Sequence, residues 1–180
     1  MKKKIFMLVL CLLVICLPAF AAKKADKNSN VMQIVQYPVV ESAITVPSNW
    51  TADIDDNNVL LAQKDEVTCV FMIANAQKVP FDTLAQLTDS GKINFSRQMK
   101  TEAADGRKNF QLGKEEFREQ NGRAVYDLQY NYYDEDLKRD IYCHSLFVVK
   151  NNQLLRIVGL CPVVIADIAE MDTIITEAGF

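Results

Sequence analysis

Apolar and polar positions alternate most cleanly in the second half of the chain, and most of the expected elements follow from that alternation. Over residues 123–133, Ala124, Tyr126, Leu128, Tyr130 and Tyr132 share one face of an extended segment, while Arg123, Asp127, Gln129 and Asn131 share the other, because successive strand side chains point to opposite sides. Asn121-Gly122 joins this segment to residues 109–119, and an Asn-Gly pair tolerates the positive φ angles of a tight hairpin. Residues 137–162 hold two apolar, β-branched-rich runs on either side of Asn151-Asn152, which predicts a second hairpin. Counting outward from a two-residue turn sets Val149 opposite Leu154 and Cys143 opposite Leu160. Pro162 stops the second run and suits the first turn of a closing helix. In that helix Val164, Ile165, Ile168, Met171 and Ile175 form an apolar stripe at helical spacing.

The first half is less regular. Residues 39–46 read as a strand ended by Pro47, and Pro47-Ser48-Asn49-Trp50 as a turn carrying the only tryptophan. Residues 57–63 and 67–74 predict a hairpin across Lys64-Asp65-Glu66. In its second strand Val67, Cys69, Phe71 and Ile73 share one face and Val70 and Met72 the other, the pattern of a strand covered on both sides. Pro80-Phe81-Asp82 opens a helix with Asp82 as N-cap, and Phe81, Leu84, Ala85 and Leu87 keep its period. Ser90-Gly91 ends or kinks it, and residues 92–103 form a second, weaker helical segment with Ile93, Phe95 and Met99. Strands, helices, four strands and a helix predict an α+β fold: a mostly antiparallel sheet with a C-terminal β-meander, flanked by helices.

The N-terminus changes the picture of where this domain works. Lys2, Lys3 and Lys4, the apolar run of residues 5–17 and Ala19-Phe20-Ala21 have the order of a signal peptide. The chain therefore divides into a signal peptide at 1–21 cleaved near Ala21, a disordered or extended lead-in at 22–38, and a single domain at 39–180. The expected location is periplasmic or secreted. The apolar run is too short to span a bilayer, so no transmembrane anchor is expected in the mature chain. Cleavage moves the formal net charge from −3 to about −6, a balance that argues against nucleic-acid binding, which needs clustered Lys and Arg.

Candidate chemistry is sparse. Cys69, Cys143 and Cys161 survive cleavage. In an oxidising compartment an odd number leaves one thiol free or shared between chains. A strict two-residue turn puts Cys143 and Cys161 on opposite faces; a three-residue turn or one bulge would bring them opposite each other, within reach of a Cys143–Cys161 disulfide. The alternative is three buried, inert thiols. His144, the only histidine, shares a strand face with Tyr142, Leu146 and Val148 and reads as a hydrogen-bonded strand histidine; a single histidine needs other ligands to hold zinc. Asp53, Asp55 and Asn57 alternate as calcium ligands do, but Asn58 and Lys64 stand where a calcium loop needs Gly and Glu. Asp134, Glu135 and Asp136 form a second acidic turn. Together with His144 these are the weak metal candidates, and solvated turns are the plainer reading. Tyr126, Tyr130 and Tyr132, with Trp50, could line a ligand or partner face or be the bed on which a helix packs. No serine-hydrolase elbow, zinc-protease motif, paired-cysteine redox motif or glycine-rich phosphate loop is present, and no cofactor is expected.

Ile44-Thr45-Val46-Pro47 leading to Trp50, then a hairpin, a helical pair, a meander and a strand-and-helix finish over residues 157–175, resemble the PsbP-like fold family. That family includes extrinsic PsbP proteins of photosystem II, Ran-binding Mog proteins and exported DcrB-type bacterial proteins. The resemblance covers about residues 39–178 and implies a module that binds or stabilises partner proteins; it supplies no set of site residues. The leading expectation is a non-enzymatic accessory module whose partner is another envelope protein. A small-ligand or metal-binding protein is the alternative, followed by a thiol enzyme built on Cys143, Cys161 and His144.

Overall fold

The computed structural model describes residues 31–180; the expected signal peptide lies outside them. Strands β1 (Met32–Tyr37) and β2 (Ser42–Pro47) pair antiparallel around a 3-10 turn at Pro38–Val40, where Glu41 takes a φ of 53°. The end of the expected lead-in is thus a paired strand. The strand expected from residue 39 begins instead at Ser42, because Pro38 has its φ fixed and lacks an N–H, and so starts a turn.

Seven further strands form one antiparallel sheet: β3 (Thr51–Ile54), β4 (Leu60–Gln63), β5 (Cys69–Lys78), β6 (Lys108–Gln120), β7 (Arg123–Asp134), β8 (Arg139–Lys150) and β9 (Gln153–Pro162). Their spatial order is β3-β4-β5-β9-β8-β7-β6. Both predicted turns are tight, with positive φ at Asn121 and Gly122 and at Asn151 and Asn152. The second turn sets Val149 opposite Leu154 and Cys143 opposite Leu160, as counting outward predicts. From Ile141 to Val149 every residue of β8 is buried, because layers pack on both sides of it.

Helices α1 (Asp89–Ala104) and α2 (Ile165–Thr176) cover opposite faces. Met99 and Ala103 of α1 pack on Leu84, Tyr126, Leu128, Tyr130 and Phe147. The other face packs α2 and the β1–β2 hairpin over Val70, Met72, Leu146 and Ile157, with Met171, Ile174 and Ile175 from the helix. A Cβ on Gly159 would overlap the Met171 side chain, so α2 rests directly on the β9 backbone. The chain's end is stitched to its start: Ala43 and Gly179 exchange backbone hydrogen bonds of 2.9 and 2.8 Å.

The helical expectations need three corrections. Residues 81–87 hold only a 3-10 turn, Leu84–Gln86, whose N-cap is Thr83 rather than Asp82; Leu87 is already extended, so the turn cannot propagate. Ser90-Gly91 ends nothing: α1 runs through both, since the Thr88 side chain caps it by accepting from the Gly91 N–H at 3.2 Å. The stripe of α2 starts late. Val164 and Ile165 face outward, Ile165 88% exposed, because α2 meets the sheet only from Ile168 on.

Candidate functional site

Strand alternation sends Asp127 of β7 and Tyr142 and His144 of β8 toward α2, with Gln129 directly opposite His144. Asp127, which alternation groups with Arg123, Gln129 and Asn131, is buried, and so is His144, each with about 2% of its side chain exposed. The imidazole sits between two carboxylates. Nε2 lies 2.9 Å from Asp127 Oδ1, and Nδ1 lies 2.8 Å from Oδ1 of Asp172 on α2. The Tyr142 hydroxyl donates to the same Asp172 oxygen at 2.6 Å. On the far side of Asp127, Arg118 Nε of β6 donates to Oδ2 at 2.8 Å. Arg118 also donates to Gln120 Oε1 at 2.7 Å, and Gln120 Nε2 donates to the Ile175 carbonyl at 3.2 Å, back on α2. Two carboxylates and two cations close a network that joins β6, β7 and β8 to α2.

Each protonation state has a physical cause. Burial pushes the Asp127 carboxyl up, but the hydrogen bonds and charges of His144 and Arg118 more than reverse it, to about 2. Burial pushes His144 down, and its two carboxylate partners outweigh that and raise it above the usual histidine value. Asp172 is lowered: burial opposes the charge, but His144 and Tyr142 donate to it. Tyr142 is raised, by burial and then by the carboxylate it serves. A carboxylate–imidazolium–carboxylate chain of this kind holds a helix on a sheet. It also leaves neither ring nitrogen free for a metal or a proton transfer to a substrate.

No family model matches the chain, and no curated protein matches it. Among solved structures it is similar to cyanobacterial PsbP from Synechocystis sp. PCC 6803, at 16% identity over 89% of this chain and 98% of that one, with a TM-score of 0.57. The fold is PsbP-like. A Pseudomonas aeruginosa protein of unknown function also aligns, at 16% identity over 79% of this chain and 89% of that one, with a TM-score of 0.44.

The PsbP-like frame scatters the other predicted site residues. Tyr126 and Tyr130 are buried beneath α1, where Phe95 meets Tyr126 edge-on at 5.5 Å. Tyr132 is half-buried, with the Arg107 guanidinium 5.1 Å over its ring. Trp50 plugs the core on the opposite face. The Cys143–Cys161 bridge is not formed: all three thiols are free and buried, and the unbulged register leaves Cys143 beside Leu160 and Cys161 beside Tyr142. Burial, then the Asp167 and Asp172 carboxylates, push the Cys161 thiol up to about 12, and burial does the same to Cys69.

The acidic segments spend their oxygens internally. Asp53 lies in β3, and Asp55 accepts from the N–H groups of Asn57 and Val59. Asp134 accepts from those of Asp136 and Leu137, and Glu135 pairs with Lys108 at 3.0 Å. Among the described residues no group of three or more His, Cys, Asp or Glu is placed to hold a metal ion. Sequence reasoning missed Asp127, Arg118 and Asp172 altogether. The available signal was Asp172 itself, a charge next to Met171 and three residues before Ile175, at the edge of an apolar stripe.

Proposed function

We propose that the chain is an exported accessory module that binds another protein of the cell envelope and has no catalysis of its own. The observation that carries this reading is the contrast between two strand edges. β6, the long edge of the main sheet, is broken by irregularities at Lys108/Gln111 and Leu112/Lys114 and carries Lys114, Glu115, Glu116, Arg118 and Glu119. Bulges and charges are how proteins stop edges from pairing. β1 has neither, and no charged residue occurs between Val31 and Val40.

Ser48 N–H donates to the Val31 carbonyl at 2.7 Å, with Met32 opposite Pro47. In an antiparallel pair this turns the backbone groups of Met32, Ile34 and Gln36 away from β2. Among the described residues no strand takes them up. The exposed side chains of Met32 and Ile34 flank this open ladder, which suits an extended segment of a partner. The PsbP-like fold agrees with a binding module, although fold alone does not assign function. The thiol-enzyme reading is opposed by chemistry, since an attacking thiol needs a lowered pKa and access, and Cys69 and Cys161 have neither.

The test is a crosslinked pull-down of the mature chain, from Ala22 onward, out of its own envelope extract, with and without chelator. One enriched protein, captured equally in both and lost with Ile34→Lys, is the expected result. An extract that yields no enriched partner overturns the reading.

A second reading rests on one further observation. A depression of about 420 Å³ at the bulged start of β6 is lined by Asn109, Phe110, Gln111, Asn131, Tyr132 and Asp140. In it the buried Asn131 Oδ1 lacks a partner. Amides and a carboxylate beside two rings suit a small hydroxylated ligand. Such a ligand raises the unfolding temperature by an amount that grows with the logarithm of its concentration above Kd; no shift across a saccharide and polyol panel removes this reading.

A further inference from the structure

We propose that Asp172, His144 and Tyr142 form a proton-dependent latch, which holds α2 on the sheet while the imidazole is doubly protonated and loosens the helix when one proton leaves. The argument starts from donors and acceptors. An ionised carboxylate only accepts, and a neutral imidazole has one donor and one acceptor. Carboxylates at both His144 nitrogens, 2.9 and 2.8 Å away, are therefore served only by imidazolium. Removing one proton turns a ring lone pair toward a carboxylate and leaves two acids facing each other across a neutral, buried ring.

The neighbours decide which side gives way. From β6, Arg118 holds the other oxygen of Asp127. From β7, Gln129 Nε2 donates to Asp127 at 3.4 Å. From β9, Gly159 stands opposite His144 and contributes no side chain, with the neutral thiol of Cys161 two residues on. From β8, the Tyr142 hydroxyl reaches Asp172. Asp127 is thus fixed in the sheet by a permanent cation. Asp172 has no cation partner but His144 among the described residues, and its side chain is 40% exposed. It can turn to water, and α2 with it.

The sign follows from the direction of the shift. His144 is raised above its ordinary value, so its contribution is full below about 6.5 and is lost as pH rises through the raised value. The latch is closed below the ordinary histidine value and opens as pH rises through the raised one. Met171, Ile174 and Ile175 remain buried, and Gln120 and Asn121 still hold the Ile175 and Ala178 carbonyls. The response is therefore a loosening of α2 rather than global unfolding.

The single histidine makes the test direct. Its ring resonances are followed by NMR from pH 5 to 10, together with hydrogen exchange of α2 amides, corrected for intrinsic rates and normalised to β8. In the wild type α2 protection falls about tenfold, the loss of one charge-assisted hydrogen bond, with the midpoint at which His144 titrates, above 6.5. In Asp172→Asn the histidine midpoint drops and α2 protection no longer tracks it. Protection that stays flat through the wild-type His144 titration overturns the latch, as does a histidine already neutral at pH 6. Tyr142→Phe, which removes a donor from Asp172 without touching a charge, keeps the pH dependence if the proton on His144 is what matters.

Discussion

Asp127 is held by His144 at 2.9 Å and Arg118 at 2.8 Å, with about 2% of its side chain exposed. Asp127→Ala removes the carboxylate shared by His144 and Arg118, leaving His144 with Asp172 alone and Arg118 with the more exposed Glu116 at 3.6 Å, and is expected to cost about 3–5 kcal/mol in urea denaturation at pH 6. The penalty shrinks on the acid side. A carboxylate lowered to about 2 contributes its stability above the ordinary value near 4 and loses it as pH falls toward 2. Wild type and variant should converge there; a gap that stays constant from pH 6 to 2 would mean that Asp127 acts by packing alone. The thiols make a second residue-scale case. In the chain from Ala22 onward, the three buried, unbridged cysteines should give identical gel mobility with and without reductant, and three thiol equivalents that react only after denaturant is added. Two missing equivalents would establish a bridge. None of this was legible from alternation alone. That Asp127 and His144 point to the same side depends on the register across the Asp134-Glu135-Asp136 turn, which local pattern does not supply.

At the level of elements, the two hairpins of the meander were readable because Asn-Gly and Asn-Asn bring their own positive-φ preference. Strands β1 and β3 were not, being short and uneven in pattern: β3 is four residues with three exposed. The single helix α1 reads as two in the sequence, since Ser90-Gly91 resembles a terminus until Thr88 is seen capping it. Gly159 matters here for closeness rather than for its φ. Any side chain at that position meets Met171, with Ile175 Cγ1 only 3.3 Å from where its Cβ would stand. Gly159→Val is expected to cost about 1–3 kcal/mol by overpacking, read as a lower urea midpoint at unchanged slope. A variant as stable as wild type would show that α2 can ride outward without loss.

For the whole molecule, the α+β class and the meander followed from the order of elements, but the strand order did not. β5 inserts beside β9 rather than beside β6, a pairing set by burial of Val70, Met72, Leu155 and Ile157 in one core. The β1–β2 ribbon is the part of the molecule with the least guarded edge. Because the Ile34 side chain is 68% exposed, Ile34→Lys should change stability by no more than about 0.5 kcal/mol while removing capture of the partner. A large loss of stability would make β1 part of the core rather than a docking edge.

The bridge between Ala43 and Gly179 sets an order of events. A chain that emerges N-terminus first, from a ribosome or a translocation pore, presents β2 and β5 long before β9 and Gly179 exist to pair with them. The early hairpins can form as they appear, but the sheet cannot close and α2 cannot seat until the last residues are free. The fold is therefore completed only once the last residues of the chain are free to pair.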